Sequence, residues 1–82
     1  ITGASKGIGF DTVLNLAEDP EHHIIALSRD EAGLQQLQKR ATLGNVSYVV
    51  FDITAPNWDV LLQKLNELDC IDVLINNAGL LI

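Results

Sequence analysis

The sequence predicts an α/β fold, a parallel sheet with helices on both faces, forming the first half of a doubly wound domain with strand order 3-2-1-4. Three observations carry this expectation. Short, nearly continuous apolar runs alternate with segments of helical spacing; the connections between them are only a few residues long; and a glycine cluster stands where a strand stub gives way to a helix.

The stub at Ile1 runs directly into Thr2-Gly3-Ala4-Ser5-Lys6-Gly7-Ile8-Gly9. Over residues 8–18, Ile8, Val13, Leu14, Leu16 and Ala17 approximate helical spacing, and Pro20 prevents continuation. Residues 23–27 are a β-branched, apolar run that reads as a buried strand, closed by Ser28-Arg29-Asp30, with Asp30 placed to cap the next helix. In 31–41, Leu34, Leu37 and Ala41 recur at helical spacing. Glu31 opens this helix and Lys39-Arg40 close it, matching the helix dipole, and Gly44-Asn45 ends it. Residues 46–51 form a third strand, and the connection 52–57 prepares a helix start with Pro56 and Asn57. Trp58, Leu61, Leu62, Leu65 and Leu68 then share one helical face, and 71–75 reads as a fourth strand ending in Asn76-Asn77-Ala78-Gly79. Right-handed crossovers place the first three strands in the order 3-2-1 and return the fourth to the far side of the first. Loops 3–9 and 76–79 are therefore expected side by side.

Composition narrows the class. The 82 residues are 48% apolar, with mean hydropathy +0.22, which describes a packed chain of one domain or part of one. Five basic residues against eleven acidic give a formal charge of −6, and no Lys/Arg stripe can track a phosphate backbone, so nucleic acid is not an expected partner. No apolar run approaches the roughly 18 positions of a membrane span, and no charged-then-apolar leader opens the chain, so no membrane partner is expected. Cys70 is the single cysteine. It excludes an internal disulfide framework and a cysteine-based zinc site, fits a reducing, cytoplasmic setting, and reads as an inert small hydrophobe. His22 and His23 follow a turn without partners at metal-ligand spacing and read as solvated loop residues. Trp58 reads as a packing anchor.

The glycine loop is the most informative feature. Glycines permit a tight turn and let the backbone approach a pyrophosphate, while the free N–H groups and dipole of a helix start attract negative charge. A purely structural turn remains the other reading of the loop alone. It is not a P-loop, because Ile8 stands where that motif needs its Gly-Lys pair, and Asp11 and Thr12 break the common GxGxxG pattern. The spacing is TGxxxGxG.

Together, Thr2-Gly3-Ala4-Ser5-Lys6-Gly7-Ile8-Gly9 and Asn76-Asn77-Ala78-Gly79 resemble the cofactor loop and the NNAG motif of the short-chain dehydrogenase/reductase family. The resemblance spans all 82 residues but only the cofactor-binding opening of that family's domain, in the TGxxxGxG branch. It implies a Rossmann-type sheet and an NAD(P)-dependent oxidoreductase that interconverts a small-molecule carbonyl or alcohol substrate by hydride transfer, a homo-oligomer when full length. We expect residues 1–82 to be the dinucleotide-binding part of a single Rossmann domain, truncated at both ends, because the chain starts inside a motif and stops on Leu80-Leu81-Ile82. A nucleotide-sensing or scaffold protein that kept the fold without catalysis is the alternative.

By the same resemblance the cofactor-binding residues are Gly3, Ser5, Lys6, Gly7, Ile8 and Gly9 in the loop, Ser28 and Arg29 after the second strand, Asp52 and Ile53 after the third, and Asn77, Ala78 and Gly79 after the fourth. Most of these positions carry a second reading. Lys6 is either a solvated charge or a basic contact to NADP, and Ser5 either caps the helix or also binds phosphate. Asp52 is a turn carboxylate or lies near the adenine, and Asn77 holds its loop, sits beside the cofactor ribose, or does both. The family's catalytic Ser and Tyr-x-x-x-Lys are not expected among these residues, since Tyr48 is the sole tyrosine and Asp52 stands four places on.

Ser28-Arg29 bears on cofactor choice. In dinucleotide folds an acid about 20 residues beyond the glycine motif binds the ribose 2′-OH of NAD, whereas an Arg nearby accommodates the 2′-phosphate of NADP. Arg29 stands at that distance from Gly9, so NADP is expected rather than NAD. The other reading of Arg29 is an exposed residue paired with Asp30 or Glu31.

Overall fold

A computed structural model of the protein describes residues 1–52, 54, 58–68 and 70–78. Its elements follow the predicted alternation: α1 (Gly7–Leu16), β1 (Ile24–Ser28), α2 (Glu31–Arg40), β2 (Val46–Val50) and α3 (Trp58–Asn66). β1 and β2 pair in parallel, with Ile24 opposite Val46 and Ser28 opposite Val50. Alternate residues of a strand direct their peptide groups to opposite edges. Ile24 N–H accordingly donates to Asn45 on the β2 side, while Leu27 N–H donates to the Ile1 carbonyl at 2.8 Å and the Leu27 carbonyl accepts from Ala4 at 3.2 Å. On the outer side of this first segment, Thr2 N–H donates to the Ile75 carbonyl at 3.1 Å. The chain therefore has the lateral order 3-2-1-4 in its hydrogen-bonded neighbours.

Among the described residues only the second and third segments, β1 and β2, form regular strands. The first segment joins β1 through a single parallel bridge, Thr2 to Leu27, and residues 71–75 form no regular strand. The expectation of a fourth strand at 71–75 is corrected here. Val73 and Leu74 are 74% and 67% exposed, so none of the three helices covers this run. An apolar run becomes an interior strand only where something packs on its faces.

The core lies between the α1–α2 pair and the sheet. Phe10, Val13 and Ala17 of the α1 region meet Leu34 and Leu37 of α2 over Ala4, Ile24, Ala26 and Val46. Asp30 caps α2 as expected, its Oδ1 accepting from Gly33 N–H at 3.2 Å. Helix α1 departs from expectation in phase. Ile8, assigned to the apolar face, is 79% exposed, and Phe10 takes the core position instead. Helical geometry advances about 100° per residue, so the face defined by Gly9, Phe10, Val13 and Ala17 turns Ile8 outward. α3 packs on β2 and buries no residue. Trp58 reaches the ring of Phe51, with centroids 5.3 Å apart, yet stays 58% exposed, so it anchors one contact rather than a core. Cys70, read as an inert small hydrophobe, is exposed, with its thiol 3.6 Å from Asp72 Oδ1. Both histidines are exposed as expected. His22 Nδ1 lies 2.7 Å from the Leu16 carbonyl at the end of α1, and His23 Nε2 lies 3.2 Å from Ser47 Oγ.

Candidate functional site

Parallel strands end together, so the loops that follow them collect at one edge. Here that edge carries a cleft of about 350 Å³. Thr2, Gly3, Ser5 and Lys6 line it from the glycine loop, Leu27 to Asp30 from the end of β1, Phe51 and Asp52 from the end of β2, and Asn77 and Ala78 from the far loop. The two loops predicted to be neighbours are bonded to each other. Thr2 Oγ1 accepts from Asn77 N–H at 2.9 Å and from Ala78 N–H at 3.0 Å, and Asn77 Nδ2 donates to the Gly3 carbonyl at 3.2 Å.

The glycines have separable roles. Gly3 and Gly7 adopt φ of 65° and 63°, the left-handed region that disfavours side chains. Gly9 is needed for space: a Cβ there would lie 2.3 Å from the Gly3 carbonyl oxygen and 2.7 Å from Asn77 Nδ2. Helix α1 begins at once, with Lys6 in the N-cap position, no side chain capping it and no acid in its first turn. Its positive end is thus left to whatever occupies the neighbouring cleft.

Ser5 does not cap α1, in contrast to that expectation. Instead it accepts from Ser28 Oγ at 2.8 Å, and Ser28 Oγ in turn accepts from Asp30 N–H at 3.2 Å. The relay of donors runs from Asp30 through Ser28 to Ser5 and leaves the Ser5 proton to be donated onward, each bond polarising the next.

Charge in the cleft divides unequally. Two of the chain's five basic residues, Lys6 and Arg29, line it, and among the described residues neither forms an ion pair. The alternative in which Arg29 pairs with Asp30 or Glu31 is not what the geometry shows. The two acids of the lining are engaged with nearby residues: Asp30 caps α2, and Asp52 Oδ1 accepts from Thr54 N–H at 2.9 Å and Thr54 Oγ1 at 2.6 Å. Asp52 therefore makes a turn and also faces the cleft.

Of the residues singled out in the sequence, Gly3, Ser5, Lys6, Ser28, Arg29, Asp52, Asn77 and Ala78 are brought together around the cleft. Gly7, Ile8 and Gly9 lie in the first turn of α1, outside its lining, and Ile53 and Gly79 fall outside the described residues. Thr2, Leu27, Asp30 and Phe51 line it without having been singled out as binding residues. Position alone marks Leu27 and Phe51, which stand at the carboxyl ends of their strand runs, and Thr2 is the first polar side chain after the stub.

The family model described as short chain dehydrogenase matches residues 1–82. L-xylulose reductase of Mesocricetus auratus is 37% identical over 79 residues, which cover 96% of this chain and 30% of that protein. Benzil reductase ((S)-benzoin forming) of Saccharomyces cerevisiae is 36% identical over 84 residues, covering 99% of this chain and 32% of the relative. The chloroplastic protochlorophyllide reductase of Pisum sativum is 34% identical over 84 residues, or 96% and 21% of the two chains. The chain thus spans a third or less of the length of these relatives. No solved structure matches it.

Proposed function

Because the chain belongs to the short-chain dehydrogenase family, we propose that residues 1–82 are the dinucleotide-binding part of a single Rossmann domain in an NADP-dependent oxidoreductase that interconverts a small-molecule carbonyl and alcohol. The observation that carries this reading is the pair of cations, Lys6 and Arg29, lining one cleft with no ion pair to either among the described residues, while the acids beside them are held by backbone and Thr54. An anion fits where two cations, a donating hydroxyl and an uncapped helix start converge.

When bound, the dinucleotide supplies or accepts the hydride. The chain's own residues bind and orient it. Gly3 and Gly9 keep the loop flat enough for backbone to approach a pyrophosphate, Ser5 donates to it, and Lys6 with Arg29 grips the ribose 2′-phosphate. Asp52 lies at the adenine side and Asn77 beside a ribose. Proton transfer to the substrate falls to residues outside 1–82, in the family's Ser and Tyr-x-x-x-Lys pattern.

Titration of NADP and NAD against the full-length protein and its Arg29→Ala variant tests this. Tighter binding of NADP by the wild type is expected, with the variant losing NADP affinity by about tenfold or more, from charge-assisted bonds of roughly 1.5–3 kcal/mol each, and NAD affinity little changed. Equal losses, or preference of the wild type for NAD, overturn the assignment. Binding of NADP without turnover of any carbonyl substrate favours the sensor reading.

A further inference from the structure

Gly33 lies in the first turn of α2 and does not line the cleft, yet it has no room for a side chain. A Cβ at this position would stand 2.8 Å from Ser5 Cβ, 2.8 Å from the Ser5 carbonyl oxygen and 2.9 Å from Asp30 Oδ2. All three are under 3.0 Å, a distance that real Cβ atoms essentially never show, and one of the obstacles is backbone that no rotamer change can move. The first turn of α2 therefore rests on the glycine loop at a distance that glycine alone allows.

The same two segments are tied by hydrogen bonds. Gly33 N–H donates to Asp30 Oδ1, Asp30 N–H to Ser28 Oγ, and Ser28 Oγ to Ser5 Oγ. With the contact from Gly33 back to Ser5, these bonds close a ring through Ser5, Ser28, Asp30 and Gly33. Arg29 is the residue between Ser28 and Asp30 on this ring, and Lys6 follows Ser5. The ring thus fixes how far apart the backbones of the two cations stand.

We propose that Gly33 is a positioning residue for cofactor choice: its missing side chain sets the separation of Lys6 and Arg29 at which one phosphate is held by both. The inference rests on the reading of the cleft as an NADP site. A methyl group at Gly33 forces the α2 turn, and Arg29 with it, away from Ser5. A phosphate gripped from both sides loses one of its partners, whereas a cofactor ending in a free ribose hydroxyl loses nothing that depends on Arg29. The discrimination between cofactors falls, rather than binding in general.

The test compares full-length wild type, Gly33→Ala, Ser28→Ala and Arg29→Ala by calorimetric titration with NADP, NAD and 2′,5′-ADP, alongside a thermal melt of each. Gly33→Ala is expected to weaken NADP and 2′,5′-ADP by about tenfold while NAD stays within about twofold, the size of one charge-assisted contact. Ser28→Ala removes the link between the loops without adding bulk and shifts the NADP/NAD ratio in the same direction; it decides the matter if Gly33→Ala does not fold. A merely structural role lowers affinity for both cofactors alike, and that result, or an unchanged ratio in the folded variants, overturns the proposal. If Arg29→Ala loses NADP selectively and the other two variants do not, the positioning role of Gly33 fails while the NADP reading stands. If Arg29→Ala changes neither cofactor, the NADP reading fails and takes the inference with it.

Discussion

The side-chain nitrogen of Asn45 lies 2.9 Å from the carbonyl oxygen of His22, and the same Nδ2 lies 3.0 Å from the Ala17 carbonyl and 3.1 Å from that of Asp19. One residue before β2 thereby gathers the whole connection between α1 and β1. In the sequence it stands out only as the polar partner of Gly44 at the end of a helix.

Asn45→Ala strips the partner from these carbonyls and is expected to cost about 1–3 kcal/mol. In a folding unit of about 60–100 residues each kcal/mol lowers the melting temperature by roughly 4–8 °C, and in one of about 150–250 residues by roughly 2–4 °C. Asn45→Asp costs more, because a carboxylate turns oxygens toward three carbonyl oxygens in place of a donor. Circular-dichroism melts of the two variants check the order; an Asp variant as stable as wild type contradicts it.

Thr2 tests whether the two loops of the cleft hold each other. Thr2→Val keeps the shape and removes the acceptor shared by Asn77 and Ala78 N–H. Hydrogen exchange at these two amides is expected to accelerate by about tenfold or more, the equivalent of roughly 1.4 kcal/mol, while core amides of β1 keep their protection. Thr2→Ser restores the acceptor and slow exchange. Unchanged exchange in the Val variant rejects the clamp.

Gly7 and Gly9 are expected to respond differently to alanine. At Gly7 a Cβ meets open space and the only cost is the positive φ, about 1–2 kcal/mol of stability. At Gly9 it collides with the Gly3 carbonyl and Asn77, so the loop itself must move, with a cost of about 1–3 kcal/mol and displaced Asn77 resonances. Dinucleotide affinity then falls further in Gly9→Ala than in Gly7→Ala. Equal affinities for the two variants contradict this division of roles.

The run at 71–75 offers a converse test. Val73 already stands in water, so Val73→Lys is expected to change the stability of this 82-residue chain by no more than about 0.5 kcal/mol and to raise its solubility. A large loss of stability in a chemical denaturation series argues for a buried strand there.

Legibility in the sequence followed the range of the forces involved. Helix α2 was readable nearly to the residue, because its cap at Asp30, its Leu34 and Leu37 spacing and its terminal charges are all local signals. β1 and β2 are readable because their short apolar, β-branched runs bounded by turn residues are local signals as well. Residues 71–75 carry the same composition, but their conformation depends on what packs against them, which no local pattern reports. Ile8 failed for a related reason: its apolar character agreed with a helical face, but the phase of α1 is set by Phe10 and Val13 against α2. In the site, glycines and charges announced the residues that carry the chemistry, whereas the acceptor role of Thr2 and the contact of Gly33 with Ser5 exist only once distant segments meet.

The bonds from Thr2 to Asn77 and Ala78 join residues 75 and 76 positions apart, whereas the register of β1 on β2 pairs residues only 22 apart. Closing the longer loop costs about 1 kcal/mol more in chain entropy, and the four hydrogen bonds between residues 2–3 and 75–78 repay it only after the first segment is already seated on β1. Order of assembly follows from this: the β1–α2–β2 unit with α1 forms early from near neighbours along the chain, and the mouth of the cleft closes last. The same asymmetry runs in reverse under stress, so heat or denaturant opens the binding edge before the core yields, and a ligand that bridges the two loops slows that first opening above all others.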